Sequence, residues 1–239
     1  MLRGVAGALF DSATGERLVA LDASAHQVAF AQDGRFLLAC DEQLVVAESE
    51  RGATLLTIPA PIGTTFVAGT FAPGGAAVLA PCRDAMVRLY DAADGRLLQA
   101  LGPHPDMPYF ADYSADGEHI VVAAGRLLVV WDARNGKQLR TLAGHDEGIT
   151  AAAFSRDGRF LLSSAFDATA RLWRWESAVE EYRLAACLAL SIAPASDADF
   201  VAVLWNGRVL RLPIDPLAEA LVRKPRELSA DESAGLASR

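Results

Sequence analysis

A histidine, a serine and an aspartate fall within one short stretch of the chain, at His145, Ser163 and Asp167. These are the residue types of an acyl-transfer triad, in which an imidazole activates a hydroxyl and a carboxylate orients the imidazole. Ser163 lies in the segment Leu-Leu-Ser-Ser-Ala, which lacks the Gly-x-Ser-x-Gly pattern of a nucleophile turn. The alternative is that the three side chains only satisfy one another as buried polar groups.

Metal chemistry would need histidines and carboxylates at ligand spacing. The four histidines are scattered, at His26, His104, His119 and His145, and no His-x-His or Glu-x-x-His pattern gathers them. The three cysteines, Cys40, Cys82 and Cys187, are an odd number and show no Cys-x-x-Cys spacing. We therefore expect no metal, no cofactor and no disulfide framework.

These residues are carried by a unit of about 41 residues that recurs along the chain. In each unit an aromatic residue stands before a short turn, at Phe30, Phe71, Tyr113 and Phe154. The turn itself contains Asp-Gly or Pro-Gly, with glycines at Gly34, Gly74, Gly117 and Gly158. A second aromatic ends the next segment, at Phe10, Tyr90, Trp131 and Trp173. The repeat predicts one supersecondary unit used several times.

The local pattern within each unit predicts β-structure. Apolar or alternating segments of four to eight residues are separated by turns rich in Gly, Asp and Asn, residues that tolerate positive φ in tight hairpins. Strands at this spacing predict a meander sheet for each unit, and radial stacking of such sheets would bury both faces of each. The fold class expected is all-β.

Several motifs resemble those of the WD-repeat β-propeller family: the Gly144-His145 pair, the Trp131-Asp132 pair and the serine-rich strand before Asp167. The similarity covers residues 5–212, which we take as a propeller domain of residues 1–212. It implies four-stranded blades with strand a at the axis and strand d at the rim, and the strand-a segments would be residues 27–30, 67–71, 109–113 and 149–154. It also implies a structural network made by His145, Ser163, Asp167 and Trp173, which we favour over an acyl-transfer triad. In the unit that contains His104, Ala123 and Ala124 would stand where this network has its hydroxyl.

The predicted number of strands does not divide into complete four-stranded blades. Two strands before residue 22, four complete units and a last unit of three strands predict about 21 strands. The resemblance implies seven blades, or 28 strands, in a usual ring. We expect either about five blades with a leftover strand or an open ring, whose edge strands a partner chain or a second copy could pair with.

The composition changes after residue 212, and we take residues 213–239 as a helical tail. Asp215 before Pro216, with Leu217 and Leu221 at helical spacing, predicts a short capped helix. The Pro-Arg-Glu-Leu-Ser segment that ends at Ser229 resembles the C-terminal ends of large bacterial WD-repeat proteins. The tail would either cap the last blade or bind a partner.

Charge and hydropathy argue against two further classes, nucleic-acid-binding proteins and membrane-spanning proteins. The 239 residues carry a net charge of −8, and the longest basic run is the short one at Arg223, Lys224 and Arg226, so nucleic-acid binding is not expected. The uncharged run 53–82 is interrupted by prolines and glycines, so we expect no membrane span there. The N-terminal segment looks like a strand rather than a signal peptide. Unpaired cysteines favour a reducing, cytoplasmic location.

The resemblance implies that partners dock on the face made by the d–a and b–c loops. Loop 102–109 is the longest and contains three prolines, which lower the entropy lost on binding. The candidate partner-binding residues on this face are Arg83, His104, Met107, Tyr109, Arg126 and Phe166.

We therefore expect a non-catalytic protein-interaction scaffold or sensor subunit of a larger bacterial assembly. The alternative is a propeller hydrolase with a site in the central channel. It would use the His/Ser/Asp set and Asp112, the one carboxylate among the expected strand-a segments.

Overall fold

A computed structural model describes residues 8–10, 14–20, 24–50, 52–185 and 187–215. Within these residues every regular element is a β-strand. The strands of sheets 1 to 3 are β1 Ala8–Phe10, β2 Arg17–Ala20, β3 Ala25–Phe30, β4 Arg35–Cys40, β5 Gln43–Glu48, β6 Thr54–Pro59, β7 Thr70–Phe71, β8 Ala77–Pro81, β9 Val87–Asp91 and β10 Leu97–Leu101. Those of sheets 4 to 6 are β11 Pro108–Tyr113, β12 His119–Ala124, β13 Leu127–Asp132, β14 Gln138–Ala143, β15 Ile149–Phe154, β16 Phe160–Ala165, β17 Thr169–Arg174, β18 Val179–Ala185, β19 Ala189–Pro194, β20 Asp199–Leu204 and β21 Val209–Pro213.

The strands pair only with their neighbours in sequence, always antiparallel. Sheet 1 holds β1–β2, sheet 2 β3–β6, sheet 3 β7–β10, sheet 4 β11–β14, sheet 5 β15–β18 and sheet 6 β19–β21. The first strands of successive sheets meet, since β3 contacts β7, β11 contacts β15 and β15 contacts β19. This is the inner position that strand a was expected to take.

The predicted all-β fold is confirmed, and the described residues contain 21 strands, the number that the sequence predicts. Sheet 1 has two strands and sheet 6 has three, and within the described residues they do not merge into one sheet. The described strands therefore make an incomplete propeller.

The turn glycines explain where the strands end. Gly158, between β15 and β16, has φ of 71°, a conformation that residues with a side chain rarely adopt. Ser155 fixes the same turn, because its hydroxyl donates to Asp157 at 2.6 Å and accepts from the Phe160 N–H at 2.9 Å. The turn thus rests on local residues that the repeat supplies in several units.

The core lies between neighbouring sheets. Leu161 and Trp173 of sheet 5 pack with Val121 and Val130 of sheet 4. The other face of sheet 5 packs on sheet 6, where Leu162 and Leu172 belong to the same buried cluster as Phe200. Stacking of this kind buries both faces of a sheet, as the sequence predicts.

Hydrogen bonds from side chains reinforce the junction between sheets 5 and 6. The Ser164 hydroxyl donates to the Cys187 carbonyl at 3.0 Å and accepts from the Ala189 N–H at 2.8 Å. Thr150 Oγ1 donates to the Ala189 carbonyl at 2.7 Å. The inner edge of sheet 6 is therefore fixed to sheet 5.

The far face of sheet 6 is open in the described residues. Val203 and Val209 lie opposite each other on β20 and β21 and remain 38% and 64% exposed. The corresponding face of sheet 5 is buried against sheet 6.

Strand β7 is shorter than the sequence suggests. We expected a strand over 67–71, but the ladder covers only Thr70 and Phe71, preceded by an isolated bridge between Phe66 and Cys82. Pro81 on the facing strand accepts the Val67 N–H at 2.9 Å but has no N–H to return. The missing donor breaks the ladder at this point.

The last strand extends to Pro213, one residue beyond the expected domain boundary. The expected helix from residue 216 onward lies outside the described residues. In the part of the chain that is described, no helix has the length and apolar character needed to cross a membrane.

Candidate functional site

The strands of sheet 5 bring His145, Ser163, Asp167 and Trp173 into one hydrogen-bonded chain. Asp167 Oδ2 lies 2.9 Å from His145 Nδ1, and His145 Nε2 lies 2.8 Å from Ser163 Oγ. Trp173 Nε1 donates to the same hydroxyl oxygen at 2.9 Å. A neutral imidazole protonated on Nδ1 satisfies every atom, because Nδ1–H donates to the carboxylate and Nε2 accepts the serine hydroxyl.

The electrostatics of the chain agree with this assignment. Burial lowers the pKa of His145, and its hydrogen bond to Asp167 only partly offsets that effect. Burial alone would raise the pKa of Asp167, but hydrogen bonds from Thr169, His145 and the Asp146 N–H hold it well below its usual range. The histidine is thus neutral and the aspartate ionised at neutral pH.

The hydrogen bonds connect the same residue types as a catalytic triad, but the serine is not accessible to a substrate. Ser163 is fully buried, and its oxygen already accepts the indole N–H of Trp173. A nucleophile must be able to reach a substrate carbonyl. The arrangement instead links the loop before β15, the β16–β17 turn and strand β17.

Sheet 4 keeps the histidine and the tryptophan of this network but neither the hydroxyl nor the carboxylate. His104 is 6% exposed, and its ring packs edge-on against Trp131 at 5.3 Å, as His145 packs on Trp173 at 6.3 Å. His104 Nδ1 lies 2.9 Å from the Ala85 carbonyl. Within the described residues His104 Nε2 and Trp131 Nε1 are both buried without a hydrogen-bond partner.

The strand register identifies the missing hydroxyl. Trp173 pairs with Leu161 and Trp131 pairs with Ile120, so Val122 occupies the position of Ser163. The sequence had suggested Ala123 and Ala124 for this position. The register corrects that assignment, and a valine in place of serine explains why two neighbouring polar atoms lack a partner.

A cleft of about 630 Å³ opens where the loops of sheets 4, 5 and 6 meet. We call it the mouth cleft. The side chains that matter here are Asp106, Tyr109, Arg126, Glu147, Phe166 and Trp205. Tyr109, Phe166 and Trp205 are 56%, 59% and 63% exposed, and each comes from a different sheet. Aromatic side chains are enriched at the centres of protein interfaces.

Backbone hydrogen bonds hold the loops of the mouth cleft in place. The Phe166 N–H donates to the Gly148 carbonyl at 2.9 Å, and the Trp205 N–H donates to the Leu188 carbonyl at 3.1 Å. The Ile149 N–H donates to the Gly125 carbonyl at 2.8 Å, which joins sheet 5 to sheet 4. The aromatic side chains therefore project from fixed backbone positions, which lowers the entropy lost when a partner is bound.

The predicted partner-binding residues do not all lie at this cleft. Tyr109, Arg126 and Phe166 line it, whereas Arg83 is exposed nearby and contacts Met107 with 4.0 Å between Nη1 and Sδ. His104 is buried against Trp131, so it is not available at the surface.

Two cleft residues were absent from the sequence prediction, Trp205 and Glu147. Trp205 directly follows β20 as Phe166 directly follows β16, so the two residues occupy the same column of the repeat. An aromatic at that point of the repeat was the available signal.

Asp112 is a partly buried carboxyl on β11. In the described part of the chain it has no ion pair, and its Oδ1 accepts only the Tyr113 N–H, at 2.8 Å. Burial raises the pKa of Asp112 to about 6, against the lowering effect of that hydrogen bond. The group is therefore close to half-ionised near pH 6.

This shift predicts a pH-dependent stability effect. The folded state holds the Asp112 proton more tightly than the unfolded chain, so stability falls as pH rises from about 4 to about 6. We expect Asp112→Asn to raise the free energy of unfolding by about 1 kcal/mol at pH 7.5, after allowance for partial exposure, and to have little effect at pH 4. Urea unfolding at the two pH values measures the difference. The exposed Glu176→Gln is the matched control, and an equal gain from Asp112→Asn at both pH values would contradict the assignment.

Among the described residues no group of three or more histidine, cysteine or carboxylate side chains is arranged to hold a metal ion. The three cysteines are all buried and unpaired.

The family model described as "WD domain, G-beta repeat" matches residues 136–174. This segment covers most of sheet 5 and contains His145, Ser163, Asp167 and Trp173. No curated protein matches the chain significantly.

Proposed function

We propose that the chain is a WD-repeat protein and that it serves as a non-catalytic interaction scaffold or sensor subunit of a larger bacterial assembly in the cytoplasm. WD-repeat proteins are in general protein-interaction scaffolds, and we assign the docking surface in this chain to the mouth cleft. The observation that carries the proposal is the convergence of three exposed aromatic side chains from three sheets on one cleft.

Two further features support the mouth cleft as the docking surface. Its loops are joined by backbone hydrogen bonds, so the surface is preorganised. Exposed aromatic residues that cluster are more informative than single exposed apolar residues, which occur on every protein surface.

The test is binding to the proteins encoded by neighbouring genes, measured with purified components. We expect the double variant Phe166→Ala/Trp205→Ala to weaken binding at least about tenfold, because each aromatic anchor typically contributes 1 kcal/mol or more, on the order of hot-spot values. The matched control is Leu55→Ala/Leu97→Ala, which removes exposed apolar side chains from the outer strands β6 and β10. Unchanged binding by the aromatic variant, or failure of every neighbour to bind, would count against the proposal.

A further inference from the structure

We propose that the mouth cleft binds the guanidinium group of an arginine side chain presented by a partner segment. This inference rests on the proposed function and specifies the chemistry of its ligand. Three lines of observation carry it: the aromatic lining, the balance of charges around it and the constraint on the backbone beneath.

The cleft is lined by aromatic side chains, whose rings attract cations. Tyr109, Phe166 and Trp205 are all more than half exposed, and the exposed Leu190 lies beside them. A guanidinium placed over an aromatic face is attracted by the negative charge density of the ring, and its planar shape also allows stacking. An ammonium group would lack the stacking contribution.

The charges around the rings favour a positive ligand. Asp106 and Glu147 contribute two carboxylates, and Arg126 contributes one cation. Across the described residues none of these three side chains forms an ion pair, and Asp106 accepts only the N–H of its neighbour Met107. The cleft thus has one carboxylate in excess, on a chain whose net charge is −8. A bound guanidinium would neutralise that excess negative charge.

The backbone beneath the cleft leaves room for one carboxylate. Asp106 lies against Gly125, so closely that a Cβ at that position would come within 2.5 Å of its Oδ2. Gly125 also has φ of 59°, which a side chain would disfavour. The glycine thus permits Asp106 to lie beside Arg126 at the edge of the cleft.

The change in affinity when Arg126 is removed distinguishes a cationic ligand from a ligand of a general apolar interface. A resident cation repels an incoming guanidinium, so its removal should tighten binding of a cationic ligand. An anionic ligand would show the opposite response.

The experiment uses the full chain and two peptides that differ in one group. The probes are acetyl-Gly-Ala-Arg-Ala-Gly-amide and the same peptide with citrulline, the neutral analogue of arginine. Trp205 reports binding by fluorescence, since the other three tryptophans, Trp131, Trp173 and Trp175, are buried. Trp205→Phe should abolish the signal and so identifies its source.

We expect the arginine peptide to bind about tenfold more tightly than the citrulline peptide, consistent with an added cation–π and charge contribution. Glu147→Gln should weaken the arginine peptide about fivefold, and Arg126→Gln should tighten it by a similar factor. All of these surface variants should retain the circular dichroism spectrum of the parent.

The outcomes separate this inference from the proposed function. Equal binding of the two peptides, weakened by Phe166→Ala, would overturn the guanidinium assignment and leave the mouth cleft as a docking surface. Weaker binding in Arg126→Gln, or no binding of either peptide at millimolar concentration, would also overturn it. Loss of the partner in the Phe166→Ala/Trp205→Ala variant tests the proposed function independently of these peptides.

Discussion

Replacing Ser163 with valine should lower the free energy of unfolding by about 3 kcal/mol. The substitution removes the acceptor for the Trp173 indole and the donor for His145 Nε2, both of which are buried. Each buried polar group left without a partner costs about 1–3 kcal/mol. Chemical denaturation followed by tryptophan fluorescence and by circular dichroism measures the change.

The specificity of this effect has two controls. Ser191→Ala, at an exposed position of β19, should change the free energy of unfolding by no more than about 0.5 kcal/mol. In the Trp173→Phe background the cost of Ser163→Val should shrink, because one of the two orphaned groups is already gone. Additive losses in the double variant would show that the hydrogen-bonded chain does not act as a unit.

Replacing Val122 with threonine should raise the free energy of unfolding by about 2 kcal/mol. Threonine has nearly the shape of valine, and its hydroxyl would accept the Trp131 N–H and donate to His104 Nε2, both unpartnered in the described residues. Burial lowers the pKa of His104 despite its hydrogen bond to the Ala85 carbonyl, so the ring is neutral and Nε2 can accept. The gain reflects two hydrogen bonds at about 1 kcal/mol each.

The matched control is Val121→Thr on the same strand. Val121 is as buried as Val122 but belongs to the cluster on the opposite face of β12, so its hydroxyl would meet apolar neighbours. We expect Val121→Thr to destabilise the protein by about 1–2 kcal/mol. A loss of similar size from Val122→Thr would mean that the two orphaned atoms cannot both reach the new hydroxyl.

The fold was predictable because its signals are local and repeated. The same turn recurs in neighbouring units, where it contains Gly117 and Gly158. The same aromatic position recurs at Trp131 and Trp173, so the number of strands follows from the sequence. The extent of β7 was not predictable in the same way, since it depends on which residue faces Pro81 across the ladder. That pairing is a property of the folded register rather than of either segment alone.

The site was predictable in part for the same reason. Arg126 and Phe166 lie in loops and Tyr109 lies at the start of β11, all on one face of the repeat, and the structure brings them to one cleft. Val122 was missed although a signal was present, because it stands five residues after Gly117 as Ser163 stands five residues after Gly158. The burial of His104 was missed because it depends on the ring of Trp131, which lies on another strand.

The attachment of sheet 6 to sheet 5 through Ser164 and Thr150 has a consequence for how firmly the cleft is held together. In stacked repeats, stability is close to a sum of unit and nearest-neighbour contributions, so a unit that packs on one neighbour only, as sheet 6 does within the described residues, opens more readily than the others. Trp205 belongs to that unit, whereas Phe166 belongs to the better-packed sheet 5. Apparent affinity scales with the fraction of molecules in which all the binding groups are assembled. A ligand that contacts both Phe166 and Trp205 therefore stabilises the contact between sheets 5 and 6. Its affinity then depends on how often sheet 6 separates from sheet 5.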